Sequence, residues 1–180
     1  MAILDIIIEG DPRLRQKANK IKRVDPAIRR LAADMYETML EAPGVGLAAP
    51  QVGVSLRLIT VCVPAGYDYE DDPEYRYTLI NPEIVKATGE QLEPPEGCLS
   101  IPHWIGTVPR ADRVVVKARD LDFKAIRIRA EGFLARVLQH EIDHLDGILF
   151  TDRVVDKSTL RYLPPTEDGE RSDTEVALAE

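Results

Sequence analysis

The sequence predicts an α+β fold in which short, mostly antiparallel strands pack around a central helix carrying an H-E-x-x-H motif. Three observations predict it. Helical periodicity returns near each end of the first 145 residues, and the stretch between reads as several short strands. Those strands do not alternate with helices, as a doubly wound fold would require. A chain of 180 residues suits one domain. That domain is expected over residues 1–163, followed by a polar, acidic tail over 164–180 that is expected to be disordered.

Residues 3–8 are apolar but interrupted by Asp5. No basic segment precedes them and no small-residue cleavage site follows, so they read as a strand rather than a signal peptide. A short helix is expected near Asp11-Pro12. Over residues 27–40, Ile28, Leu31, Ala32, Met35, Met39 and Leu40 share one helical face. Asp25 is a good N-cap, Pro26 suits the first helical position, and Pro43-Gly44 is a stop. Residues 44–51 lose regular periodicity. Residues 56–63 read as a strand, and 64–77 as a solvated acidic loop with Asp68, Glu70, Asp71, Asp72 and Glu74. Short strands are expected at 77–80 and 83–87, split by Asn81-Pro82, and again at 113–119 and 124–130, joined near Asp120-Leu121-Asp122. Between them, residues 93–102 hold Pro94, Pro95, Pro102 and Cys98. Helical spacing resumes over 131–145, and Gly147 offers its end.

Hydrophobic residues make up 44% of the chain, enough for a normal core, and the net charge of −8 keeps it soluble. That charge argues against binding nucleic acid through overall positive charge, so no direct nucleic-acid reading is expected, although a local basic patch is compatible with it. No apolar run is long enough to span a bilayer. Cys62 and Cys98 form neither a C-x-x-C pair nor a disulfide framework, which fits a reducing cytosolic compartment. Cys62, inside the apolar run 58–63, is expected to be an inert buried thiol. Cys98, between Gly97 and Leu99 after a proline-rich turn, stands in an odd place for a packing residue.

The chemistry begins at His140-Glu141-Ile142-Asp143-His144. On a helix, positions i and i+4 put both imidazoles on one face, with Glu141 beside them as a general base. Leu134, Val137, Leu138, Ile142 and Leu145 make much of that helix apolar, so it is expected to be buried. Buried histidines and a buried glutamate need partners, and a metal ion supplies one. H-E-x-x-H also arises by chance on exposed helices. The third ligand is the open question. His103 stands beside Trp104 on a loop, where a histidine is more often a surface or packing residue. Cys98 is the better candidate, because a thiolate binds zinc or ferrous iron strongly; a buried structural thiol is its alternative. In residues 44–51, close-spaced glycines allow close backbone approach to a ligand, and Gln51 offers an amide donor for an oxyanion. No Gly-Lys-Ser/Thr follows to make a phosphate loop. A plain glycine turn is the competing reading.

Taken together, three segments resemble the peptide deformylase family: Gly44-Val45-Gly46-Leu47-Ala48-Ala49-Pro50-Gln51, Glu96-Gly97-Cys98-Leu99-Ser100 and Gln139-His140-Glu141-Ile142-Asp143-His144. They match the family's G-x-G-x-A-A-x-Q, E-G-C-x-S and Q-H-E-x-D-H patterns in order, and the resemblance runs from about residue 3 to 155. It implies that Cys98, His140 and His144 bind one divalent metal, ferrous iron before zinc. It implies that Glu141 takes a proton from a metal-activated water and later gives one to the departing amine. Gln51 and the Leu99 N–H would face the oxyanion, and Gly46 would hydrogen-bond the peptide backbone. Glu96 would pair with Arg110 to hold the cysteine segment, with Asp143 and Gln139 supporting from the helix. Val45, Phe133 and Val137 are the candidates for a methionine side-chain pocket. The implied substrates are N-formylmethionyl nascent peptides, cleaved to formate and a free N-terminal methionine. The implied setting is a bacterial cytoplasm, with transient ribosome contact, no membrane and a monomeric chain. Two departures stand out. Ile105 occupies a position that is basic in some relatives, and the acidic loop 66–74 is longer than in compact ones. A zinc peptidase would instead take its third ligand downstream, where no histidine follows His144 and Asp146, Asp152 and Asp156 form no ligand motif. A non-enzymatic metal-binding or ribosome-associated module is the third reading, against which the intact set of catalytic residues argues.

Overall fold

The apolar run near residue 60 becomes the centre of the structure. In the computed structural model, which describes residues 2–67, 70–92 and 94–164, it forms strand β2 (Leu58–Val63), buried along nearly its whole length. Antiparallel partners flank it: β1 (Gly46–Ala48) on one side and the long β3 (Tyr75–Leu92) on the other. Strands β6 (Arg110–Arg119) and β7 (Ala125–Glu131) complete a five-stranded sheet in the order β1-β2-β3-β6-β7. A second sheet joins β4 (Pro95–Cys98), β5 (Ile101–Thr107) and β8 (Arg161–Tyr162).

Strand alternation explains why β2 is apolar on both faces. Ile59, Val61 and Val63, with Ala48 and Leu79 beside them, pack against helix α2 (Gly132–Leu145). Leu58, Leu47 and Ile80 point the other way, towards Ala32, Met35 and Met39 of helix α1 (Pro26–Glu41). The Asp25 carboxylate accepts the Ile28 N–H at 3.0 Å, so the cap and Pro26 start α1 as the sequence predicts. A third cluster, Leu14, Cys98, Ile101, Val108, Leu149, Phe150 and Val154, joins the second sheet to the short helix α3 (Phe150–Arg153). None of the helices among the described residues is long and apolar enough to cross a membrane.

Several expectations change. Residues 3–8 form no strand. They run extended, tied by Ala2 N–H to Asp34, Leu4 N–H to the Thr38 hydroxyl and Ile7 N–H to the Gln51 carbonyl. Asp34 and Thr38 lie on helix α1 and Gln51 in a 3-10 helix, and such partners cannot build a ladder. The two strands around Asn81-Pro82 are one strand, β3, whose register shifts between Ile80 and Glu83. Asn81 adopts φ 51° there, and its side-chain amide pairs with the Ile21 backbone, so a bulge takes the place of a turn. The stretch without periodicity, 44–51, contains β1 and a 3-10 helix at Ala49–Val52, and the proline-rich stretch 93–102 contains β4 and the start of β5. Their pairing is set by distant neighbours. Cys62 is half-buried rather than fully buried. The tail expected to be disordered lies outside the described residues except for Pro164.

Helix α2 positions the chemistry, so its packing decides whether the site forms. Leu138 has no exposed surface and sits in the cluster under the sheet. Leu138→Ala is expected to lower stability by about 2–5 kcal/mol, read as an earlier midpoint in urea unfolding.

Candidate active site

Helix α2 is buried on most of its circumference, including Glu141, Asp143 and His144. Its start is uncapped by any side chain, while its end is held from outside. The buried Arg57 guanidinium donates to the Leu145 carbonyl at 3.2 Å and to Asp146 at 2.7 Å. Gly147 then turns the chain away at φ 74°.

One helical turn brings His140 and His144 together, with their Nε2 atoms 3.2 Å apart. Cys98 arrives from the end of β4, its Sγ 3.3 Å from His144 Nε2. All three donor atoms lie within 4.8 Å of one another. Metal bonds of 2.0–2.3 Å at tetrahedral angles separate neighbouring donors by about 3.5 Å. The three side chains therefore fit a divalent ion in number, kind and spacing, with a fourth position left over for a small molecule. His103, the rival third ligand, is exposed on β5 at φ 68°, with its ring 5.9 Å from that of Tyr162. The downstream aspartates are engaged elsewhere. Asp146 pairs with Arg57, Asp152 with Arg15, and Asp156 accepts the Ser158 N–H.

The pairing expected between Glu96 and Arg110 is present and extends further. Arg110 donates to both Glu96 oxygens, at 2.8 and 2.9 Å, and to Asp143 at 2.6 Å. Glu96 also accepts from His140 Nδ1 at 2.9 Å, which leaves His140 Nε2 as the atom aimed at Cys98 and His144. Gln139 holds the same helix to β6 by bonding both the N–H and the carbonyl of Ala111. Burial pushes the Glu96 carboxyl up, but the hydrogen bonds from Arg110 and His140 outweigh it and leave its pKa at about 2. Burial likewise opposes charge on His140. Hydrogen bonds and charge from Cys98 and Glu96 overcome that, so its pKa stands well above the ordinary imidazole value. In His144, burial and the charges of His140 and Arg110 act together and hold its pKa well below that value.

Glu141 lies against β1. A Cβ placed on Gly46 would come within 2.7 Å of the Glu141 carboxyl carbon, so the glycine is needed for close approach by the chain's own carboxylate. Gln51 is fixed by its own turn. Its Oε1 accepts the Ala48 N–H at 2.8 Å, which points Nε2 towards Ser100 Oγ at 3.3 Å and Cys98 Sγ at 3.6 Å. Val45, Gly46, Gln51, Cys98, Leu99, Phe133, Val137, His140 and Glu141 line one cleft, so the residues singled out in the sequence converge, with His144 buried behind them. Ile105 is buried on β5 and does not reach the cleft. Three further participants take their place only in the structure. Arg136 lines the cleft, Ser100 meets Gln51, and Arg153 of α3 grips Asp143 at 2.7 Å. Ser100 belongs to the E-G-C-x-S pattern; nothing in the sequence marks the other two.

A family model described as polypeptide deformylase matches residues 3–159. The chain is 58% identical over 168 residues to the peptide deformylase of Thermomicrobium roseum, covering 93% of this chain and 95% of that protein. It is similar to the crystal structure of a Legionella pneumophila peptide deformylase, at 46% identity and a TM-score of 0.76 over 85% of this chain and 86% of that one. It is also similar to the Met-Ala-Ser-bound class I type b peptide deformylase of Acinetobacter baumannii, at 39% identity and a TM-score of 0.79 over 85% of this chain and 99% of that one.

Arg110→Met takes the guanidinium from the buried Glu96 and leaves Asp143 to Arg153 alone, and is expected to lower stability by about 3–5 kcal/mol, measured by chemical denaturation. Cys98→Ala is expected to abolish stoichiometric binding of a divalent ion, measured by elemental analysis after gel filtration. Full retention of the ion would return the third ligand to another residue.

Proposed function

The chain belongs to the polypeptide deformylase family, and on that premise we propose which of its residues carry the reaction. It is a metal-dependent hydrolase that removes the N-formyl group from newly made peptides. Cys98, His140 and His144 hold one divalent ion; their convergence beside Glu141 is the observation that carries this reading. When bound, the ion supplies Lewis acidity for water and for a carbonyl oxygen. We assign ferrous iron, with zinc as the alternative, since a thiolate and two imidazoles suit both.

Glu141 takes the proton of the attacking water and later passes a proton to the departing amine. Gln51 Nε2 and the Leu99 N–H donate to the oxyanion that develops on the formyl carbonyl. The fixed Gln51 carbonyl supports this, because the amide cannot turn round without breaking its bond to Ala48. The peptide lies extended along β1, which has a sheet neighbour on one side only, and Gly46 offers main-chain groups to it. Val45, Phe133 and Val137 form the wall against its methionine side chain. Residues 1–163 are the catalytic unit, acting as a monomer in the cytoplasm with transient contact to the ribosome.

Release of a free amine from formyl-Met-Ala-Ser, beside an unformylated blank, tests the reading. Glu141→Gln is expected to keep the metal and lose roughly 10²- to 10⁴-fold in turnover; near-normal turnover would sink the assignment of the base. Iron-loaded enzyme is expected to lose activity in air as the iron and Cys98 oxidise. Stable activity without reductant would count against ferrous iron.

A further inference from the structure

Phe133 stands in the first turn of α2, at a helix start that no side chain caps. Tyr67, from the segment between β2 and β3, stacks on it with ring centroids 3.8 Å apart and planes 14° from parallel. Phe133 is buried and lines the cleft. Tyr67 packs against the same core cluster and is absent from the cleft lining, so it backs the wall without facing the substrate. The Arg136 guanidinium adds a second restraint, 5.3 Å from the Phe133 centroid. Gly66, next to Tyr67, is itself held. Gly66 takes φ 72° and its N–H donates to the Asp72 carbonyl at 2.9 Å.

We propose that Tyr67 is a specificity-determining positioning residue, which acts through Phe133 to set the width of the pocket for the first side chain of the formylated peptide. The proposal rests on the reading of Phe133 as pocket wall. Parallel rings in contact resist tilting of either one, because tilt opens a gap on one side and a clash on the other. A fixed wall admits the narrow, unbranched methionine side chain and excludes bulkier ones. Without the backing ring, Phe133 gains room to swing away from the cleft, and the pocket accepts wider side chains.

The test compares kcat/KM for formyl-Met-Ala-Ser, formyl-Leu-Ala-Ser and formyl-Phe-Ala-Ser in the metal-loaded enzyme. Apolar pockets discriminate by roughly 10- to 200-fold per methylene, and loosening one wall is expected to remove about 5- to 10-fold of that. Tyr67→Ala should therefore cut the Met/Leu and Met/Phe ratios by that factor, chiefly through KM for the methionine substrate. Tyr67→Phe, which keeps the ring, should restore the wild-type ratios. An equal fall for all three substrates, or unchanged ratios, overturns the proposal. Should Tyr67→Ala fail to fold, Tyr67→Leu keeps apolar bulk without the ring and carries the same expectations. Phe133→Ala separates the two readings. If it shifts the ratios while Tyr67→Ala does not, only the role of Tyr67 fails; if neither shifts them, the pocket assignment fails too.

Discussion

The buried guanidinium of Arg110 is the constraint on which the site depends. It stands at the first position of β6, is buried, and divides its donors between Glu96 of the second sheet and Asp143 of α2. Three elements that share no ladder are fixed to one another by this planar fork. A lysine offers no such geometry, because its ammonium is a point charge without paired, coplanar donors. Arg153 adds a second cation to Asp143 from the far side. Burying such a cluster is costly, and apolar residues of similar volume are often as stabilising. What the ions add is direction. Glu96, held by Arg110, in turn holds His140 Nδ1, and the imidazole presents its other nitrogen to Cys98 and His144.

Polar groups on an otherwise apolar helix are the second element of the design. Each of the buried polar residues of α2 meets a partner from a different part of the chain: Gln139 meets β6, Asp143 meets Arg110 and Arg153, and His144 meets Cys98. The helix cannot shift or rotate without breaking several of these together. Glu141 is also confined by shape, through the glycine at position 46. A rigid carboxylate beside a free strand edge suits proton transfer to an extended substrate, because the geometry is set before the substrate arrives. Tyr67 extends the same logic outward, since its ring stacks on Phe133 in the first turn of α2.

Much of this was legible without coordinates. Helix α1 follows from its cap, its proline and its apolar face. Helix α2 follows from 3.6-residue periodicity, β2 from its apolar run, and β6 and β7 from their alternation, because in each case the signal lies within the element itself. Strands β1 and β4 were hidden, since a three-residue or proline-flanked strand owes its existence to a neighbour distant in sequence. The bulge at Asn81 was read as a break for the same reason: the partner of its side chain is Ile21, 60 positions away.

The site divides in the same way. The residue types and spacing of His140, Glu141 and His144, and the motifs around Gln51 and Cys98, were determined by the sequence, because helical geometry and ligand chemistry act over a few residues. The tertiary structure alone decided that Cys98, and not His103, stands within reach of both imidazoles, that Arg153 completes the grip on Asp143, and that Tyr67 backs Phe133. Each of these is a contact between side chains brought together by packing, and packing depends on the whole chain at once.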